Sequence, residues 1–135
     1  MAATLKLEIV TPEAKVYSED VDMVTLPGIE GEMGIFPMHV PLMTQLAAGE
    51  VSVRKGGQDF FLAVGDGFVE VTGDHVSILT DMAIKAENID EVKAEEARRR
   101  AEARLAEKLD EADVASVNAA LAHSLAQLKV KRRGR

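Results

Sequence analysis

A chain of 135 residues can bury one modest core, or one small core plus an appendage. Hydrophobic residues at 47% and charged residues at 29% place it among folded globular proteins, while 4% aromatics and no Trp leave little stacking surface for bases or sugars. The net charge of −7 opposes attraction to phosphate backbones or anionic lipid, and the absence of Cys excludes disulfides, thiolate nucleophiles and Cys-based metal sites.

The opening MAATLKLEIV lacks the basic and apolar regions of a secretion signal, and no apolar stretch approaches the length of a membrane span. A soluble, cytoplasmic protein is expected. Up to Ala86 the pattern is one of short alternating segments broken by Gly and Pro. Leu5, Leu7 and Ile9 share one face of a first strand, Val21 and Met23 begin another, and Val51 and Val53 alternate with Ser52 and Arg54 in a third. Lys55-Gly56-Gly57-Gln58 supplies a tight turn, which pairs residues 51–54 with 59–64. Gly65-Asp66-Gly67 and Thr72-Gly73-Asp74 punctuate two further strands at 68–71 and 76–79. The succession predicts an antiparallel β-sandwich or flattened barrel.

Residues 26–42, LPGIEGEMGIFPMHVPL, carry Gly28, Gly31 and Gly34 at every third position together with Pro27, Pro37 and Pro41. They read as a rigid, irregular surface loop. The run does not lead from a strand into a helix as a dinucleotide fingerprint does, and Glu30 and Glu32 would repel a phosphate. Glu30, Glu32 and His39 are candidate contact groups.

After Ala86, Gly and Pro vanish until Gly134, which sets a domain boundary between 1–86 and 87–135. Asn88, followed three residues later by Glu91, has the spacing of a capping box, and predicts a helix with a seam of Ala94, Ala97, Ala101 and Leu105. Asp113 is positioned to cap a second helix with the stripe Val114, Val117, Leu121, Leu125 and Leu128. The short connection makes the pair an antiparallel hairpin, each helix of about twenty residues and ~30 Å long. Glu95 and Glu96 precede Arg99 and Arg100 by four residues, so the Arg98-Arg99-Arg100 run reads as an ion-paired solvent face. His39, His75 and His123 lack metal-ligand spacing, His123 is predicted to face away from the second stripe, and no G-x-S-x-G elbow is present. The basic tail from Lys129 onward suits an acidic protein surface.

Together, residues 26–42, the GDGFVEV run at 65–71, Ile78-Leu79-Thr80-Asp81 and the Ala/Arg-rich hairpin resemble the epsilon-subunit family of bacterial F-type ATP synthases over essentially the whole chain. The resemblance implies a non-catalytic central-stalk subunit of a proton-translocating complex, needing no cofactor. Its sandwich would bind the gamma subunit and rest on the c-ring. Nucleic acid is not implied as a partner, and membrane association would come only through the complex, at the cytoplasmic face of the bacterial cell membrane. By motif position, Glu30, Gly31, Glu32, Met33 and His39 are the implied rotor contacts. The hairpin is associated with inhibition of ATP hydrolysis, folding onto the sandwich or extending toward the alpha and beta subunits of the head. In the extended form Lys129, Lys131, Arg132, Arg133 and Arg135 would meet acidic residues there. Some relatives bind ATP in the hairpin through an Ile/Leu-Asp-x-x-Arg-Ala motif, which implies an alternative role as an ATP-sensing module. The matching residues are Ile89, Asp90, Lys93 and Ala94, with Arg100 nearby. Lys93 replaces the motif's Arg and loses its planar multi-donor fork, and Ile84 stands where an acidic group would help recognise adenine.

Overall fold

The structure, a computed structural model, describes residues 3–133. Alternation dictates the first layer of organisation. Leu5, Leu7 and Ile9 of β1 (Leu5–Val10), Val21 of β2 (Lys15–Val21), and Val24 and Leu26 of β3 (Met23–Gly28) are fully buried. So are Val51 and Val53 of β6 (Gly49–Lys55), Val64 of β7 (Gln58–Val64), Val69 and Val71 of β8 (Gly67–Thr72), and Val76 and Ile78 of β9 (His75–Thr80). These side chains form one continuous core between two facing halves of a single sheet. Its strand order is β10-β7-β6-β3-β5-β8-β9-β1-β2, with β4 (Gly31–Ile35) added on β3, and with β5 (Leu42–Leu46) and β10 (Ala83–Lys85) completing the set.

Two details differ from the sequence expectation. The sheet is not wholly antiparallel, since β1 runs parallel to β9, Lys6 opposite His75 through Val10 opposite Leu79. Alternation reports which face a residue takes and is blind to strand direction. Residues 26–42 are also not one irregular loop. Gly28 pairs with Gly31, so Ile29 and Glu30 form the turn of a β3–β4 hairpin, and Leu26 and Ile35 belong to the core. The Gly and Pro residues concealed that two-residue periodicity. Beyond that two-residue turn, only 36–41 lie outside strands.

The chain leaves β10 through a short 3-10 turn (Ala86–Asn88) and enters α1 (Glu91–Leu105) and α2 (Glu111–Lys131), of 15 and 21 residues. The caps are not those expected. Asp90 Oδ1 accepts from the Lys93 backbone N–H at 3.1 Å and Asp110 Oδ1 from the Asp113 N–H at 2.8 Å, so Asp113 lies inside the first turn of α2. Asn88 cannot start α1 because Ile89, extended and buried, first plugs into the outer face of the sandwich. The buried side of α2 also differs from the Val114–Leu128 stripe. Val114 and Leu125 are exposed, while Val117, Ser124, Ala126, Leu128 and Val130 are buried. A helix packed against both α1 and a sheet must bury two adjacent stripes, and a single-stripe reading finds one. Ser124 is tolerated because its hydroxyl donates to the Ala120 carbonyl at 2.8 Å.

Candidate functional site

The sandwich has two outer faces with different fates. Across β6, β7 and β10 the outward residues meet α2, where Ala63, Ile89, Ala126 and Val130 form a second small core edged by Phe61, Met82, Ile84 and Ala86. The opposite outer face, on β5, β8, β9 and β1, is not covered by any of the described residues. Its register sets Gln45, Phe68, Leu79 and Val10 in one row, and Met43 beside Glu70 in the next. Phe68 is 54% exposed, Leu79 55% and Met43 69%. Sequence reasoning passed over this face, although GDGFVEV carries the signal: Phe68 sits in the outward phase, one residue before the inward Val69 and Val71. A row of large apolar groups on the polar phase of a well-formed strand marks an interface.

Strand direction separates the predicted rotor contacts. β4 begins at Gly31, beside the Ile29-Glu30 turn, and ends at Ile35 at the other end of the sandwich. Glu30, Gly31 and Glu32 are therefore gathered, exposed, at one end together with exposed Ile29, and Met33 is half-buried against the core. His39 lies at the far end, its Nδ1 2.6 Å from the Val40 carbonyl oxygen. Phe36, Met38 and Val40 are exposed around it, and Asp74 Oδ1 accepts from the Met38 N–H at 2.8 Å, fixing Met38 at a φ of 66°.

The hairpin is fastened to its face by polar bonds as well as by alanine. Arg133 straddles Glu50, with its Nε donating to Oε2 at 2.7 Å and its Nη2 to Oε1, and its guanidinium stacks 4.4 Å from the centre of the Phe61 ring. The bond to Glu50 raises the Arg133 pKa further above its already high value. Arg132 donates to Glu91 and to Glu95, each at 3.2 Å. Glu95 also receives Arg98, which continues to Glu102, and Arg99 at 3.3 Å. These bonds, that from Arg98 foremost, hold the Glu95 carboxyl down to about 2. The expected ion-paired face of α1 is thus present, and it extends to α2.

His123, off the Leu121/Leu125 stripe as expected, is nonetheless turned toward the sandwich. Its Nε2 lies 3.1 Å from Asp81 Oδ2, bridging α2 to the end of β9. A Cβ at Gly65 would fall 2.0 Å from Asp81 Oδ1 and 2.7 Å from His123 Nε2, so glycine is what leaves room for this contact. Helical periodicity places His123 correctly off the Leu121/Leu125 stripe, but that stripe is not the one turned toward the sheet. Of the tail cations, Lys131 Nζ reaches the Ala86 carbonyl at 3.4 Å and Lys129 is exposed; Arg135 lies outside the described residues.

Among the residues matched to the ATP motif, Ile89 and Ala94 are buried in packing and Asp90 caps α1, while Lys93 and Arg100 are exposed. Ile84 is half-buried in the small core.

Comparison with known proteins agrees with the geometry. Residues 4–86 match the family described as the ATP synthase Delta/Epsilon chain beta-sandwich domain, and residues 87–132 match its long alpha-helix domain. An ATP synthase epsilon chain of Dehalococcoides mccartyi is 48% identical over 134 residues, covering 98% of this chain and 96% of the relative. One of Desulforamulus reducens is 44% identical over 129 residues, covering 96% and 98%. Among solved structures, a chain of the Euglena gracilis mitochondrial ATP synthase, determined as OSCP/F1/c-ring, superposes with a TM-score of 0.78 at 29% identity over 94% of this chain and 80% of that one. A Tetrahymena thermophila central-stalk chain, at 14% identity and a TM-score of 0.66 over 96% and 97%, shares the fold. The chain belongs to the ATP synthase delta/epsilon chain family.

Proposed function

We propose that this chain, a non-catalytic subunit of ATP synthase, couples the gamma subunit to the c-ring in the central stalk and inhibits ATP hydrolysis through its helical hairpin. The observation that carries the reading is the division of the sandwich's outer surface. One face holds the chain's own hairpin, and the other presents Met43, Phe68 and Leu79 to a partner. An apolar row on a preformed sheet docks with little loss of conformational entropy, which suits gamma. Glu30, Gly31 and Glu32, at the tip of a short β-hairpin, supply carboxylates for the polar loops of the c-ring. Met33 backs that tip from the core, and His39 with Phe36, Met38 and Val40 offers a further contact at the opposite end. Among the described residues no helix is long and apolar enough to cross a membrane, and association through the complex at the cytoplasmic face of the bacterial cell membrane fits the reading.

Inhibition follows from detachment of the hairpin. Once extended, Lys129, Lys131, Arg132 and Arg133, with Arg135, meet acidic groups of the alpha and beta subunits and resist rotation in the hydrolysis direction. Truncation after Asn88 leaves the main core whole, because its residues lie within 5–78. The complex carrying the truncated chain is expected to assemble normally and to hydrolyse ATP about five- to tenfold faster, the lower end of a coupling of about 1–3 kcal/mol. Steady-state ATPase measurement checks this, and an unchanged rate removes inhibition from the proposal.

A further inference from the structure

Arg133 makes its bonds to a residue far away in the chain, 83 positions earlier. Glu50 stands on the outward phase of β6, opposite Ala63 and next to inward Val51, so it lies beneath α2. Its side chain is only 7% exposed while that of Arg133 is 48% exposed. A carboxylate in that position is deprived of most of its water by the docked hairpin, and the two-pronged guanidinium replaces what it loses. Phe61 supports the flat side of the guanidinium, and Glu32 and Asp59 add attraction from a greater distance. Arg132 is held differently, by Glu91 and Glu95 of α1, within the hairpin itself.

We propose that Glu50 and Arg133, with Phe61, form a lock that holds the hairpin in the compact conformation, and that the lock works by exchange. Arg133 is bound to the sandwich's Glu50 when the hairpin is down, and is available to an acidic partner only when it lifts, whereas the partners of Arg132 travel with the hairpin. This rests on the inhibitory reading for its consequence in the complex, but not for the lock itself. A guanidinium forked on one carboxylate cannot fork on another, so the sandwich and the acidic surface compete for the Arg133 side chain. Partner binding and hairpin release are then one equilibrium, biased by whichever carboxylate holds Arg133 better.

The absence of Cys gives a clean reporter. Ala63 is fully buried under α2, so Ala63→Cys in the full-length chain reacts with a maleimide when the hairpin lifts, at a rate proportional to the lifted fraction. Glu50→Gln keeps the shape and removes the charge; Arg133→Lys keeps the charge and removes the fork and the flat face. Each is expected to raise the labelling rate about tenfold over the Ala63→Cys parent, the size of one charge-assisted hydrogen bond. Exchanging the pair, Glu50→Arg with Arg133→Glu, is expected to return most of it. Rates within about twofold of the parent for both single variants, a change under 0.5 kcal/mol, overturn the lock. If Glu50→Gln lowers the thermal midpoint of the sandwich itself, Arg133→Lys decides the matter, since its side chain is half outside the fold. In the assembled complex, Glu50→Gln is expected to lower ATP hydrolysis by favouring the extended hairpin. Faster labelling with hydrolysis unmoved leaves the lock standing and tells against the inhibitory reading.

Discussion

A Cβ placed on Gly67 would lie 1.8 Å from the Leu79 carbonyl oxygen and 2.9 Å from the Thr80 Cα, so the first residue of β8 must be glycine for β9 to pair with it. The obstructing atoms are backbone and cannot rotate away. Gly67→Ala is therefore expected to lower stability by about 2–4 kcal/mol, read by urea unfolding. Gly65→Ala offers a contrast, because the atoms it would strike are the ends of Asp81 and His123. Those side chains can swing aside, which costs the His123–Asp81 contact and about 1 kcal/mol. The GDG run reads from sequence as a turn, and that is what it is. That one of its glycines accommodates a strand and the other a helix-to-sheet bridge is invisible without the residues from 79–81 and 123 beside them.

Glu95 joins the two helices, receiving Arg98 and Arg99 from its own helix and Arg132 from α2. An unpaired Glu titrates near 4.5, and these bonds hold Glu95 near 2 in the folded chain. Because the folded value lies below the unfolded one, the stabilisation is complete above about pH 4.5 and is lost as the pH falls toward 2. The thermal midpoint of the wild type is expected to hold between neutrality and pH 5 and to fall below it. In Glu95→Gln part of that fall is absent, since the group that would be protonated is already neutral. Arg99 and Arg132 keep much of their contact with water, so the difference between the two proteins should shrink in about 1 M salt, where the screening length is ~3 Å. At this scale the sequence was informative about spacing. Glu95 and Arg99 sit four apart on one face, and each helix begins behind an Asp that any capping rule would admit. It was less informative about which polar residue wins the cap, because Asn88 and Asp113 satisfy the same rule. The choice falls to Asp90 and Asp110 because Ile89 must first reach the small core and because α2 begins a turn earlier than its apolar stripe.

At the scale of the whole molecule, the sandwich is a plate with its own arm on one side and an open apolar row on the other. Phe68→Glu is expected to leave the isolated chain's unfolding free energy within about 0.5 kcal/mol, since the ring lies outside the core. The same change should weaken association with gamma at least about tenfold, as burying a charge in an apolar contact costs 2 kcal/mol or more. Titration of the purified gamma subunit by calorimetry distinguishes the two effects, and equal binding by both chains would remove Phe68 from the interface.

Local order determined what could be read in advance. The turn at Gly56-Gly57 sets the β6–β7 register by itself, inward and outward phases follow from alternation, and two helices joined by a few residues have little choice but to lie side by side. Tertiary structure alone decided that β1 would lie parallel to β9, that the glutamates of the β3–β4 turn and His39 would occupy opposite ends, and that α2 would turn Ala126 and Val130 to the sheet. It also brought Arg133 onto Glu50 and His123 onto Asp81. Each of these outcomes depends on how a folded-over sheet brings distant segments together, and a periodicity reports only the face a residue prefers, never the residue it will meet there.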